Sequence, residues 1–101
     1  MVKKNCQKGA QMKVFLSGSI TSDKDYKRHF YEARRRFNSQ DIETFDPSLL
    51  PPNLPYTTYI KLCLAELVTC DFICYVNDVT TSKGSFIERI VALACGIEEI
   101  M

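Results

Sequence analysis

A short segment near the C-terminal end of the chain combines residue types that could bind a phosphorylated sugar and cleave it. Ser82 supplies a hydroxyl and Lys83 a positive charge, and Gly84 would let a ligand come close to the backbone. Glu88 follows, and an ionised carboxylate beside a sugar carbon is the nucleophile that a retaining glycosidase needs. The dipole of a helix beginning here would favour the ionised form of Glu88. The spacing also fits a capping box, in which Glu88 only accepts a hydrogen bond from the Ser85 N–H, and it leaves both interpretations open.

Residues 17–22 form a second candidate segment, with the sequence Ser-Gly-Ser-Ile-Thr-Ser. Gly18 would let a ligand approach the backbone, and hydroxyls followed by helix N–H groups suit a phosphate or sugar oxygen. The segment is neither a G-x-G-x-x-G fingerprint nor a P-loop, so it predicts neither a dinucleotide nor a triphosphate. An ordinary turn with Ser22 as the N-cap of the next helix explains the same residues, and taken alone the segment favours that interpretation.

The remaining polar residues are weaker indications of a functional site. Asp46 and Asp78 end predicted strands, and each could bind a ribose hydroxyl or cap a turn. His29 lies off the apolar side of its predicted helix, which is typical of a solvent-exposed histidine. The five cysteines are odd in number and lack C-x-x-C spacing, a pattern that favours reduced thiols. We therefore predict no metal site and no cofactor.

Alternating elements must position these residues. The predicted strands are short apolar runs at residues 14–16, 42–45, 72–76 and 97–101. The first of three intervening helices is capped by Ser22, the second covers about residues 57–69, and the third ends at Gly96. The third helix carries its apolar residues on one face, as a helix packed on a core does: Phe86, Ile87, Ile90, Val91 and Ala94.

This order predicts right-handed crossovers and a parallel sheet covered on both faces. The fold class is therefore α/β, a small flavodoxin-like or Rossmann-like three-layer sandwich with roughly four or five parallel strands. Ligands of such folds bind at the carboxyl ends of the strands. Since the first and third strands should be neighbours, the loops that follow them should meet. The residues expected to converge within one cleft are Gly18, Ser19, Ser82, Gly84 and Glu88.

The bulk composition is that of one globular domain. The chain has 101 residues, of which 46% are hydrophobic and 25% charged. A net charge of +1 predicts capture of neither a nucleic-acid polymer nor a membrane. No targeting segment or bilayer-spanning run is visible, so a cytoplasmic location is expected. Residues 1–11 are predicted to be a flexible tail, and residues 12–101 the folded domain.

Together these segments resemble the nucleoside 2-deoxyribosyltransferase-like superfamily. The resemblance is closer to its small members, which include 2′-deoxynucleoside 5′-phosphate N-hydrolases and short bacterial and phage proteins. It covers nearly all of residues 12–100. The segments that carry it are residues 14–20, Asp46-Pro47, residues 59–67, Cys70-Asp71 and the signature Ser82-x-Gly84-x-x-x-Glu88.

The resemblance implies a nucleophilic Glu88 that attacks C1′ of the sugar. It also implies that Ser82 contacts a 5′-phosphate. By the same resemblance, Gly18, Ser19 and Gly84 match the backbone that wraps the sugar phosphate. The complete set of predicted substrate-binding residues adds four others: Ile20, Asp46, Cys63 and Asp78. The implied activity is cleavage or transfer at the N-glycosidic bond of a 2′-deoxynucleoside 5′-monophosphate. The implied partners are a small-molecule nucleotide or nucleoside and a second copy of the chain in a homodimer.

Two residues depart from the pattern of the superfamily. Phe15 stands where its enzymes usually have a tyrosine that orients the nucleophile. Cys63 stands where they usually have an aspartate that helps to handle the sugar and the leaving base. Losing a positioned acid–base group typically lowers a rate by on the order of a hundredfold to ten-thousandfold. We therefore expect an impaired enzyme, with a non-catalytic nucleotide-binding or interaction module as the alternative. A TIR-like NAD glycohydrolase, which residues 13–17 also resemble, would need a longer chain.

Overall fold

The computed structural model describes residues 12–101. The tail predicted for residues 1–11 lies outside the described residues. Within that part of the chain, α-helices and β-strands alternate as follows: β1 (Lys13–Ser17), α1 (Tyr26–Asn38), β2 (Glu43–Phe45), α2 (Tyr56–Leu67), β3 (Phe72–Tyr75), α3 (Lys83–Ala94) and β4 (Glu98–Ile100). A turn of 3-10 helix, Pro47–Leu49, follows β2. Because proline is excluded from helix interiors, α2 begins only at Tyr56, after the proline-containing segment that follows β2.

The strands form one parallel sheet in the order β2-β1-β3-β4. Strand β1 pairs with β2 on one side and with β3 on the other, where Ser17 is level with Tyr75. Right-handed crossovers in this order place α1 on one face of the sheet and both α2 and α3 on the other. The predicted α/β sandwich with a parallel sheet is confirmed, and the described residues contribute 4 strands to it.

Successive residues of β1 face two different cores. Phe15 packs in the core on the α2–α3 face, whereas Val14 and Leu16 pack in the core on the α1 face. All three side chains are fully buried, which explains why this strand reads as a continuous apolar run. The alternation also turns Ser17, the last residue of β1, towards the α2–α3 face.

Helix α1 begins later than predicted. Its N-cap is Asp25, which makes no side-chain capping bond, so the prediction that Ser22 caps this helix is wrong. The hydroxyl of Ser22 instead lies within hydrogen-bonding distance of the Ser19 hydroxyl. The turn before α1 is closed by the backbone N–H of Tyr26, which donates to the Asp23 carbonyl at 3.2 Å. The loop thus has an internal polar structure of its own.

Helix α3 packs with an unexpected face. The residues that it buries are Ser85, Glu88 and Ala92, whereas Phe86 and Ile90 are 65% and 51% exposed. Ala94 is exposed as well, so the prediction that Phe86, Ile90 and Ala94 lie on the buried face is wrong. The helix ends as predicted, with Gly96 at a φ of 71°, a conformation that favours glycine. No helix among residues 12–101 has the length and apolar character needed to cross a bilayer.

Candidate functional site

Glu88 lies in the second turn of α3, and its side chain reaches the end of β1. The hydroxyl of Ser17 donates to Glu88 Oε1 at 2.7 Å. The Oγ atoms of Ser17 and Ser85 are 2.9 Å apart. All three residues are buried, and Glu88 is 4% exposed. Because a hydroxyl carries one proton, Ser85 must donate to Ser17 when Ser17 donates to the carboxylate.

The capping-box interpretation of Glu88 is wrong. The N-cap of α3 is Ser82, whose Oγ accepts from the backbone N–H of Ser85 at 3.2 Å. The donor that a capping box would offer to Glu88 is thus already used by Ser82. Glu88 bonds instead to a residue of the neighbouring strand, so its carboxylate makes no contribution to the helix terminus.

Burial dominates the electrostatics of Glu88. It raises the pKa of the Glu88 carboxyl to about 7, and the hydrogen bond from Ser17 opposes this rise only in part. The carboxyl is therefore about half ionised at neutral pH. This rise is opposite in direction to the change that the dipole of α3 alone predicts for a carboxylate near its N-terminus. Within residues 12–101, no lysine, arginine or histidine forms an ion pair with Glu88.

The charge of Glu88 acts on side chains of α2 and β3. Burial raises the pKa of the Cys63 thiol to about 12, with a further contribution from the charge of Glu88. Burial likewise raises the pKa of Tyr59 and brings that of Tyr75 to about 12, and Glu88 contributes to both. Glu88 is therefore the group in this set that changes its charge near neutral pH. We call Ser17, Tyr59, Cys63, Ser85 and Glu88 the Glu88 cluster.

The first turn of α3 lies beside the Glu88 cluster and offers groups suited to an anion. No residue among 12–101 accepts a hydrogen bond from the backbone N–H of Lys83 or Gly84. A Cβ atom built on Gly84 would meet nothing closer than Ile60 Cδ1 and Tyr56 Oη, each at 3.9 Å. Packing therefore does not require glycine at position 84, and the backbone there is open to close approach.

Gly18 and Ser19 follow Ser17 directly but belong to a different set of contacts. A Cβ atom on Gly18 would lie 2.6 Å from Val76 Cγ2 and 2.9 Å from Phe30 Cζ, so close packing requires the glycine. Ser19 is 2% exposed, and its backbone N–H donates to Asn77 Oδ1 at 2.7 Å. Ile20 is half-buried against the core on the α1 face. The backbone N–H of Ser19 is thus already used within the protein.

Asn77 ties this loop to the end of β3. Its Nδ2 donates to the Ser19 carbonyl at 2.9 Å and to Asp23 Oδ2 at 2.7 Å. Asp23 Oδ2 also lies 2.6 Å from His29 Nδ1, so His29 is partnered rather than merely solvated. The contacts with His29 and Asn77 lower the pKa of Asp23. We call Ser19, Ser22, Asp23, His29 and Asn77 the loop network.

The two aspartates at strand ends have turn-capping contacts. Asp46 Oδ1 accepts from the backbone N–H of Ser48 at 2.9 Å, and Asp46 Oδ2 pairs with Arg34 at 2.5 Å. Asp78 Oδ1 accepts from both the backbone and the hydroxyl of Thr80. Both aspartates therefore have structural roles, and contact of either with a ribose stays a prediction.

The structure divides the predicted site residues between these two groups. Cys63 and Glu88 lie in the Glu88 cluster, with Ser82 and Gly84 at the helix start beside it. Gly18 and Ser19 are at the same sheet edge, because β1 and β3 are adjacent, but they contact the α1 side. Sequence reasoning missed the role of Ser17. The signal that could have found it is the alternation of β1, which places residue 17 on the same face as Phe15.

An open groove lies between α1 and the carboxyl ends of β3 and β4. It has a volume of about 620 Å³, and its lining includes Arg36, Cys74, Val76 and Ile100. Tyr75, whose pKa the charge of Glu88 raises, also lines this groove, whereas no side chain of the Glu88 cluster does. Among residues 12–101, no three His, Cys, Asp or Glu side chains are grouped as ligands of a metal ion.

Residues 12–101 match the family model described as "Domain of unknown function (DUF4406)". No curated protein and no solved structure matches the chain. The matched range contains both the Glu88 cluster and the loop network, so the family covers every group of residues described above.

Proposed function

We propose that this chain, which belongs to the DUF4406 family, is an enzyme of the nucleoside 2-deoxyribosyltransferase-like kind. It would cleave or transfer the N-glycosidic bond of a 2′-deoxynucleoside 5′-monophosphate, with Glu88 as the nucleophile. The observation that carries this proposal is the buried carboxylate of Glu88, which neither caps a helix nor forms an ion pair within residues 12–101.

Burial of such a carboxylate is unfavourable for folding. An ionised group that leaves water without a cationic partner loses solvation that one hydroxyl does not replace. Helix α3 nevertheless turns Glu88 inwards and leaves Phe86 65% exposed. Proteins depart from the usual burial pattern mainly at functional sites, where a perturbed acid can serve as nucleophile or base. A catalytic role for Glu88 accounts for this arrangement of α3.

The chemistry follows from the free oxygen of the carboxylate. Glu88 Oε1 accepts from Ser17, so Oε2 would form the bond to C1′ as the C1′–N bond breaks and its electron pair leaves with the base. The departing base takes a proton from water. In a second step, water or an acceptor base attacks C1′ and releases the carboxylate. A sugar without a 2-hydroxyl makes the oxocarbenium-like transition state more accessible, because the electron-withdrawing group is absent.

The start of α3 supports a preference for a 5′-phosphate. The N–H groups of Lys83 and Gly84 lack acceptors among residues 12–101, and the positive end of the helix dipole favours an anion there. The Oγ of Ser82 already accepts from Ser85, and its proton remains able to donate to a phosphate oxygen. The ammonium group of Lys83 adds charge that a free nucleoside would not use.

A non-catalytic nucleotide-binding module is the second candidate function. It is favoured by the two departures from the superfamily pattern, since Phe15 is stacked on Phe45 with ring centroids 5.4 Å apart and supplies no hydroxyl. The thiol of Cys63 is neutral at physiological pH, so it does not replace a carboxylate. This module would bind the same phosphate without breaking the glycosidic bond.

The deciding experiment measures base release from a panel of 2′-deoxynucleoside 5′-monophosphates by chromatography. We expect release by the wild-type protein and a loss of at least about a hundredfold in Glu88→Gln. Glu98→Gln, which removes an exposed carboxylate from β4, is the matched control and should retain the activity. Calorimetry with a nucleoside and its monophosphate completes the test. Tight binding without base release would favour the module, and neither binding nor release would contradict both proposals.

A further inference from the structure

We infer that Ser17 is a positioning residue for Glu88 and that Ser85 orients the Ser17 hydroxyl through a hydrogen bond. The serine pair holds Glu88 Oε1 so that Oε2 is presented to the sugar carbon. This inference rests on the proposed function and deepens it, because it names the groups that orient the nucleophile. Neither serine touches the reacting atoms, so both would act through the carboxylate.

The contact distances describe a chain of buried hydroxyls that ends on the carboxylate. Ser17 Oγ is 2.7 Å from Glu88 Oε1 and 2.9 Å from Ser85 Oγ. Ser17 is fully buried, and Ser85 is 3% exposed. At these distances and this burial, the hydroxyls exchange no bonds with bulk water, and a bond to a charged acceptor is strengthened.

The backbone holds Ser17 in a fixed place. The residue ends β1, one of the two inner strands of the sheet, level with Tyr75 of β3, and its carbonyl accepts from the Val76 N–H at 2.9 Å. Ser85 belongs to the first turn of α3, where its N–H donates to the N-cap Ser82. The two hydroxyls therefore come from a strand and a helix terminus, which are more rigid than a loop.

The position of Ser17 lets it supply the orienting hydroxyl that Phe15 lacks. The side chain of Phe15 faces the same side of the sheet but is stacked on Phe45 and carries no donor. Because strand residues two apart share a face, Ser17 can reach the carboxylate from one step further along β1. The orienting hydroxyl that the resemblance assigns to position 15 would thus be supplied from position 17.

Other groups around Glu88 do not take this role. The titratable side chains whose pKa values respond to the charge of Glu88 are Tyr59 and Cys63 from α2 and Tyr75 from β3. Within residues 12–101, Ser17 is the residue that forms a hydrogen bond to the Glu88 carboxylate. Removal of its hydroxyl would leave the buried carboxylate without a donor, so the ionised form would become harder to reach.

The test combines a titration of the substrate-free protein with kinetics. Carbon NMR of labelled glutamate side chains follows Glu88 in the wild type, Ser17→Ala and Ser85→Ala. We expect Ser17→Ala to move the Glu88 titration midpoint upwards by about one pH unit, and Ser85→Ala to move it less in the same direction. In base release, Ser17→Ala should lower kcat by about tenfold or more with KM within about twofold, and the acid limb should move to higher pH.

Two further variants keep the outcome clear. Ser17→Cys retains a weak donor of similar size and should lie between the wild type and Ser17→Ala in both measurements. Ser39→Ala, which removes a hydroxyl that donates to the Arg36 carbonyl at 2.8 Å, should leave both unchanged. If Ser17→Ala does not fold, Ser17→Cys and Ser85→Ala carry the test.

The outcomes separate this inference from the proposed function. An unchanged Glu88 titration in Ser17→Ala would overturn the positioning role, whatever the kinetics show. A displaced titration with lowered kcat would support it. A displaced titration with no base release from the wild type would support the hold of Ser17 on the carboxylate and overturn the proposed function.

Discussion

Two polar groups of side chains meet at the carboxyl ends of β1 and β3, and they differ in how fully they are satisfied. In the loop network, Asp23 is bonded to both His29 and Asn77, and Asn77 also bonds both backbone groups of Ser19. In the Glu88 cluster, one hydroxyl serves a carboxylate that is almost completely buried. The loop network is typical of a structural network. The Glu88 cluster is typical of a functional group whose burial lowers the stability of the fold.

The two carboxylates show this difference in opposite pKa shifts. The hydrogen bond with His29 leads the causes that lower the pKa of Asp23, whereas burial raises that of Glu88 to about 7. An acid whose pKa is lowered by folding stabilises the fold once it is ionised. An acid whose pKa is raised by folding destabilises the fold once the unfolded chain ionises it. Substitutions confined to one of the two groups test this difference.

Replacement of Glu88 should give the largest effect, and it should be stabilising at high pH. The pKa of Glu88 is raised from 4.5 to about 7 in the folded protein. Between those values the folded protein retains a proton that the unfolded chain has lost, so the wild-type protein loses stability as pH rises through this window. Relative to the wild type, Glu88→Gln should therefore gain about 3 kcal/mol in unfolding free energy between about pH 4 and pH 8.

Urea denaturation of both proteins across this pH range measures the difference. The change of that difference with pH is the quantity of interest, because a constant offset from the new amide cancels. Glu98→Gln is the control and should run parallel to the wild type, since Glu98 is exposed on β4. A difference for Glu88→Gln that stays constant with pH would show that folding leaves the Glu88 carboxyl unperturbed.

The second prediction compares one glycine from each region. Gly18→Ala should cost about 1–3 kcal/mol, because the added Cβ overpacks a site already filled by Val76 and Phe30. Gly84→Ala adds the same atom where the nearest neighbours are 3.9 Å away, inside a helix that favours alanine, so it should cost nothing or stabilise slightly. Thermal unfolding of the two variants measures this contrast.

The same pair separates packing from ligand binding. Although it leaves the fold intact, Gly84→Ala should weaken binding of a deoxynucleoside monophosphate in calorimetry, because the methyl group occupies the approach to the backbone. Equal destabilisation by the two substitutions would mean that Gly84, like Gly18, is required only by packing.

Much of the fold could be predicted from the sequence because its signals are local. Short apolar runs indicate β1 and β3, and each run spans only a few residues. Asp46-Pro47 and Gly96 mark the ends of the elements that precede them. The alternation of elements then limits the sheet to a right-handed parallel arrangement. These features account for the agreement between the predicted α/β sandwich and the observed order β2-β1-β3-β4.

The contacts of the candidate site could not be predicted in the same way. The hydrogen bond between Ser17 and Glu88 joins residues 71 positions apart, and no local pattern reports such a pair. Apolar periodicity also predicted that α3 would bury Phe86, because periodicity assumes that hydrophobic burial chooses the face. The actual face brings Glu88 and Ser85 to the end of β1, which is the kind of conflict between local and global preference expected at a functional site.

The smallest expected effect is that of Asn77→Ala, which opens the loop network and should leave the Glu88 cluster untouched. Asn77 makes three hydrogen bonds, two to Ser19 and one to Asp23. It is half-buried, so water can replace part of what is lost, and we expect a cost of about 1–2 kcal/mol in urea denaturation. Asn53→Ala, in the exposed segment before α2, is the matched control and should cost close to nothing.

The NMR titration of Glu88 should be the same in Asn77→Ala as in the wild type, because Asn77 contacts the α1 side of β1 and Ser17 faces the other side. A displaced Glu88 titration in Asn77→Ala would mean that the two groups are coupled through the end of β1, and the contrast between a structural and a functional group would then not hold.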